Sequence, residues 1–162
     1  VFEEFMGVPA HPLLVHAAVV FVPLLSLLVA AYAVVPFVRP HIRWVTGAFA
    51  IVTPFAALFA KLSGDAFFTR MDENDRISDE FYPRLEEHQD LGTMTLYASI
   101  VLAVLTLALV YFVAPRAAAG GAGSSKALSL TLSVLALVAV GVSLYYVFRT
   151  GDTGAKAVWE GQ

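Results

Sequence analysis

The chain has 162 residues, 59% of them apolar and only 14% charged, with a formal net charge of −3 and a mean hydropathy of +0.75. That balance excludes an ordinary soluble domain and points to a bilayer as the solvent, with no nucleic-acid partner expected. With zero cysteines the chain alone can build no disulfide, no covalently attached c-type haem, no iron–sulfur cluster and no thiolate metal site. Histidine and carboxylate are the metal-capable ligands left.

The first apolar run, Leu13 to Val38, follows the stretch "HPLLVH" from His11 to His16. It is too long for a signal-peptide core and lacks a small-x-small cleavage pattern, so it is expected to stay in the mature protein. The second run, Ile42 to Ser63, comes after the basic turn "RPHIR". The third, Leu91 to Ala114, follows Pro83, which suits a helix's first turn, with Glu86 and Glu87 favourable against the N-terminal dipole. That helix therefore starts above the membrane, which gives a span of about 86–114. A Gly/Ser connector, Gly120 to Ser125, precedes the fourth run, Ala127 to Phe148. Each run is near or above the roughly 20 residues needed to cross a bilayer. A membrane β-barrel would need segments of about 10 residues with alternating polarity, and these runs are longer and uniform. The expected fold is all-α: one transmembrane domain over residues 1–162, a four-helix bundle with spans of about 13–38, 42–63, 86–114 and 127–148 and an acidic outer loop over about 65–87. Pro23 and Pro54 lie inside spans and predict kinks, which neighbouring helices and Thr53 are expected to accommodate.

Charge sorts the ends. The acidic residues fall at Glu3 and Glu4, between Asp65 and Asp90, and at Asp152 and Glu160, which with four spans share one side. The two turns on the other side, with Arg39, Arg43, Arg116 and Lys126, contain base and no acid. Six of the ten Lys and Arg lie on the acidic side, but Arg70, Arg76 and Arg84 sit there in a longer loop among carboxylates. The short basic turns are assigned to the cytoplasm, and both termini to the extracytoplasmic side of a bacterial inner membrane.

The halves echo each other. His16 starts one hairpin, which leaves the membrane at Lys61-Leu62-Ser63-Gly64-Asp65. His88 starts the next, which leaves at Arg149-Thr150-Gly151-Asp152. This order suggests two repeated helical hairpins related by an axis along the membrane normal. In that case His16 and His88 face each other at one depth, near Asp65 and Asp152.

The opening stretch also resembles the H-P-x-x-V-H-F-P start of a bacterial four-helix membrane family known as domain of unknown function 2231. "EEHQDLG" around His88, the Gly64-Asp65 exit and the closing "TGDTGAKAVW" are similar to the same family, and together they cover most of the chain. Ala17 and Ala18 stand where Phe and Pro are usual, and Asp152 takes a place that is often histidine or apolar. The resemblance implies a four-helix bundle with its polar landmarks at one membrane face, and no established activity.

Ionisable groups inside a span are functional candidates, because burial in hydrocarbon is costly without a partner. His16 is the first. His11 lies five residues earlier, about 140° around the helix, so the two do not share a face. His11 is expected to cap the helix or lie among headgroups, beside the site. One reading gives His16 an interhelical hydrogen bond to a Thr, Tyr or Asp. A second makes His16 and His88 axial ligands of a b-type haem. A third places His16, His88, Asp65 and Asp152 around zinc or iron, with Glu87 and His11 in support. Lys61 and Arg149 are expected to snorkel and pair with the following aspartates, and Trp44, Trp159, Tyr82 and Tyr97 to anchor at the interfaces. Ser129, Ser133, Ala136, Gly47 and Ala50 are expected at close helix approaches. The loop "DAFFTRMDENDRISDEFYPRLEEH" lacks a calcium-loop pattern and reads as a solvated cap, with Phe67 and Phe68 tucked beneath.

No nucleotide loop, nucleophile elbow or zincin helix occurs, and no independent catalytic activity is expected. Two functional readings remain. One is a membrane subunit with a histidine-based haem or metal site near its outer face, accessory to an electron-transfer or respiratory assembly. The other is a cofactor-free structural subunit that packs against a membrane-protein partner or forms a homo-oligomer. Transport is disfavoured by the lack of a mid-membrane carboxylate.

Overall fold

The structure, a computed structural model, describes residues 4–5, 8–113 and 125–159. Glu3, Glu160, Ala114, Arg116 and the Gly/Ser stretch 120–124, all used above, lie outside those residues. A two-residue pair of antiparallel strands, β1 (Glu4–Phe5) and β2 (Val8–Pro9), precedes four long helices. These are α1 (Ala10–Val34), α2 (Arg39–Glu73), α3 (Tyr82–Phe112) and α4 (Lys126–Trp159). All four are long and apolar enough to cross a membrane. A short 3-10 turn, Pro36–Val38, joins α1 to α2. Each helix packs on its neighbour in the chain and α4 closes on α1, so α1 and α3 stand diagonally across the axis. The start of α1 meets the end of α2, and the start of α3 meets the end of α4, which makes the bundle run up-down-up-down.

The fold is the four-helix bundle that the apolar runs imply, but the helices extend further at the acidic end. With 35 residues α2 is about 50 Å long, against a hydrocarbon core of about 30 Å. The acidic stretch 65–87 is therefore mostly helix: α2 continues to Glu73, residues 74–81 connect, and α3 begins at Tyr82. Asp75, with φ of 52°, makes the turn in the left-handed region that Asp tolerates. Phe68 packs edge-to-face on Tyr82 at 5.4 Å and so ties the two extensions together. Pro23 and Pro54 both lie within unbroken helix.

Buried positions follow one rule on the diagonal helices. On α1, Ala18, Val22, Leu25 and Val29 are buried, and on α3, Thr95, Ser99, Leu102 and Thr106. Counted from His11 and from His88, both sets fall 7, 11, 14 and 18 residues on. At about 100° per residue those steps stay on one face, so each histidine begins the inward stripe of its helix. Between helices in lipid the driving force is close packing, since lipid tails are as apolar as leucine. Small residues supply it here: Ala50, Ala103, Ala136 and Ala139 join Leu25, Val29, Leu102 and Leu109 in the core. Gly47 plays no such part, because a side chain there would meet nothing within 4 Å. Large side chains such as Leu27, Phe37, Leu130 and Phe148 face outward, where acyl chains would cover them. Trp44 and Trp159 are 83% and 71% exposed, as interfacial anchors require.

Arg39 closes the end opposite the histidines. Its Nε donates to the Tyr32 carbonyl at 2.8 Å and Nη2 to the Ala33 carbonyl at 3.0 Å, satisfying the last turn of α1 with a cation. The fully buried Tyr32 donates its hydroxyl across the bundle to the Val113 carbonyl at 3.2 Å.

Candidate functional site

The polar landmarks gather at the end where α1 and α3 begin, and the histidine that meets His88 there is His11. The two rings lie 6.4 Å apart between centroids, at 77° to each other, reaching across the diagonal of the bundle. His16 does not join them. It is exposed, and its Nδ1 turns back to the Pro12 carbonyl of its own helix. The 140° that separates the two histidines on α1 settles this: the inward stripe runs through His11, which leaves His16 on the outer face. The expected equivalence of His16 with His88 is thus replaced by that of His11 with His88.

Each ring is docked on the neighbouring helix in the same manner. Nδ1 of His11 donates to the Ala60 carbonyl at 3.1 Å and lies 3.2 Å from Ser63 Oγ, whose own proton goes to Ala60 at 2.9 Å. Nδ1 of His88 donates to Thr153 Oγ1 at 3.0 Å, because the Thr153 hydroxyl proton is drawn to the carbonyls of Arg149 and Thr150, each at 3.1 Å. One residue after each hydroxyl stands a glycine. A Cβ on Gly64 would lie 3.0 Å from Cε1 of His11, and one on Gly154 would lie 2.8 Å from Cε1 of His88. The glycines are therefore the recesses in which the rings sit. Phe67 covers His11 from the other side, nearly parallel at 17° and 6.4 Å between centroids.

These bonds have a chemical consequence. A neutral imidazole that donates from Nδ1 carries its lone pair on Nε2, so both rings are held in the tautomer that ligates through Nε2. The carboxylates do not converge on them. Asp65 pairs with Lys61, Asp152 with Lys156 at 2.8 Å, and Glu87 with Arg149 at 3.1 Å. The pairing expected of Lys61 with Asp65 is present, whereas Arg149 reaches to α3 instead of to Asp152. Among the described residues no three or more of His, Asp and Glu are grouped to hold a metal ion, so the proposed quartet His16, His88, Asp65 and Asp152 is not assembled. Sequence reasoning passed over Gly64, Gly154, Ser63 and Thr153 as site residues. The available signal was the hydroxyl-glycine pair at both helix exits, which the eye reads as an ordinary helix end.

Architecture and site together define a multi-pass membrane protein with a paired-histidine cluster at one end of a four-helix bundle. The chain belongs to the family described as predicted membrane protein (DUF2231), whose model matches residues 7–162. No curated protein and no solved structure matches it.

Proposed function

We propose that this protein is a small subunit of the bacterial cytoplasmic membrane that uses the His11 and His88 pair to hold a b-type haem or a metal ion, and acts as an accessory to an electron-transfer assembly. The acidic end and both termini are placed on the extracytoplasmic side. One observation carries the reading: imidazoles from diagonal helices meet at one level, each with Nδ1 engaged and Nε2 kept as a ligand nitrogen. Hydrogen bonds from the second nitrogen are what orient ligating histidines.

The donor set favours haem over zinc or a bare iron ion. A tetrahedral ion needs about four donors, and two imidazoles without a carboxylate supply half of them. Haem needs only axial ligands from the protein, and without cysteine it would be held non-covalently. Haem would supply one-electron chemistry; His11 and His88 would hold it, and Ala60 and Thr153 would orient the two rings through Nδ1. Protein purified in mild detergent is expected to show a Soret band that disappears in His11→Ala and in His88→Ala and survives in His16→Ala. Elemental analysis of the same samples reports iron or zinc. Protein isolated from haem-replete cells without Soret band or stoichiometric metal would refute the assignment.

A second reading treats the pair as a packing device in a cofactor-free scaffold. It is favoured by how fully each ring is already accommodated, with Nδ1 bonded and the Cε1 edge set against glycine. Under it, both histidine variants lose stability while a partner protein, or a second copy, still co-purifies.

In either case the spacing of the two inward stripes and the two docks leads us to read the halves as copies of one hairpin, with His11, Ser63 and Gly64 answering to His88, Thr153 and Gly154.

A further inference from the structure

A cleft of about 830 Å³ runs along the seam between α1 and α4. Val19 and Pro23 of α1 form one wall, and α4 supplies the other, from Gly141 through Leu144 to Gly151 and Asp152. Apart from Asp152 and the phenol of Tyr145, the lining is apolar. The volume falls in the range of small-molecule sites, roughly 300–1,000 Å³.

Two of the lining positions are glycines inside a helix, where glycine is the poorest former after proline. In membrane helices the usual reason for a glycine is the close approach of a neighbour. That reason fails here, because a Cβ on Gly141 or on Gly151 would meet nothing within 4 Å. Each glycine instead leaves a side chain's worth of room in the cleft. The histidine recesses are the opposite case, since at Gly64 and Gly154 an imidazole already fills the space.

Depth in the membrane says what kind of molecule the room suits. The apolar run Ala127 to Phe148 of α4 is about 33 Å long at 1.5 Å per residue, one hydrocarbon core, so Arg149 marks headgroup level at the acidic end. From that level Asp152 lies about 5 Å outward and Gly141 about 12 Å inward, short of the midplane at about 15 Å. The cleft therefore begins among headgroups and ends within one leaflet. A helix of a second copy would need a groove through both leaflets. A polar outer end and an apolar inner end, one leaflet deep, are the shape of a single lipid.

The carboxylate selects the head group. Arg149 is drawn to Glu87 on α3 at 3.1 Å, and Asp152 is the charged residue in the lining, joined by Lys156 one turn further out at 2.8 Å. The mouth thus presents an anion and a cation side by side. A phospholipid whose head carries an ammonium beside its phosphate meets both with opposite charge. A head with a phosphate alone brings Asp152 an anion and no cation.

We propose that the α1–α4 cleft binds one phospholipid with an ammonium head group from the leaflet at the acidic end, its acyl chain against Gly141 and Leu144 and its ammonium at Asp152. None of the lining residues belongs to the histidine docks, so the proposal stands apart from whether His11 and His88 hold a cofactor.

The test reconstitutes the full chain in vesicles of equal parts phosphatidylethanolamine and phosphatidylglycerol, extracts it in mild detergent, and weighs it with its retained lipid by native mass spectrometry. One phosphatidylethanolamine per chain is expected, favoured about tenfold over phosphatidylglycerol, the ratio that one hydrogen bond to a charged group supports. Gly141→Leu fills the apolar end and should abolish retention of both lipids. Gly47→Leu, at an equally open glycine on α2, should leave retention unchanged. Circular dichroism should show both variants folded, since leucine is the better helix former. Asp152→Asn keeps the cleft and should bring the two lipids to equal retention. Wild-type protein that holds no lipid, or both lipids equally, would overturn the proposal. So would Gly141→Leu protein that retains phosphatidylethanolamine as the wild type does, or Asp152→Asn protein that still prefers it. A lipid-free dimer that Gly141→Leu dissociates would overturn it in favour of a second copy.

Discussion

At the α1–α2 dock the His11 ring rests on Ser63 and the Ala60 carbonyl, with Phe67 stacked over it. At the α3–α4 dock the His88 ring rests on Thr153 and lies closer to its glycine; the residue three after that glycine is Ala157, where Phe67 stands three after Gly64. An alanine is too small to repeat the aromatic cover. The recess is thus built twice from the same parts, a hydroxyl and then a glycine on the last turns of the partner helix. The lid is built once. Both imidazoles are set by a hydroxyl and a glycine on the neighbouring helix, and the difference lies in the Phe67 ring stacked on His11.

That comparison can be strained most by filling the recesses. Gly154→Ala drives a Cβ into a ring edge 2.8 Å away, and since the ring is held by Thr153 it must give up that bond or push α4 outward. The expected loss is about 1–3 kcal/mol, read from unfolding in detergent micelles by circular dichroism. Gly64→Ala, at 3.0 Å, is expected to cost less, about 1 kcal/mol. Equal effects at both sites would show that the two recesses do not differ. Removing the hydroxyls comes next. Thr153→Val takes away the acceptor at 3.0 Å from His88 Nδ1 and should cost about 1 kcal/mol. Ser63→Ala leaves the Ala60 carbonyl in place for His11 and should cost about half as much. A larger loss at Ser63 would reverse the order of the docks. The smallest effect belongs to the ion pair between Arg149 and Glu87, whose side chains are 41% and 55% exposed. Glu87→Gln should change stability by less than about 0.5 kcal/mol, an effect that added salt abolishes.

The histidines illustrate what was legible beforehand. That His11 and His16 point to different faces follows from helical pitch and needs no structure. Which of them points inward does not, because α1 is apolar all round and carries no polar stripe to mark its lipid side. His16 lies deeper in the apolar run, which made it the natural choice. The packing of α1 on α2 and α4 chose the other face. The carboxylates fail as ligands for a related reason: Asp65 and Asp152 each have a lysine four residues away on the same helix, and a local pair forms without any tertiary cost.

The number of spans, their alternation and the gathering of acid at one end were determined by the sequence alone. Lipid offers the backbone no partner, so a run of about 20 apolar residues has only the helix to adopt. The pairing of His11 with His88, the glycine recesses beneath them and the cleft between α1 and α4 were decided only by tertiary structure. They depend on the rotation of each helix about its own axis. In helices apolar on every side, that rotation is set by the fit of small residues between neighbours, and no single helix encodes it.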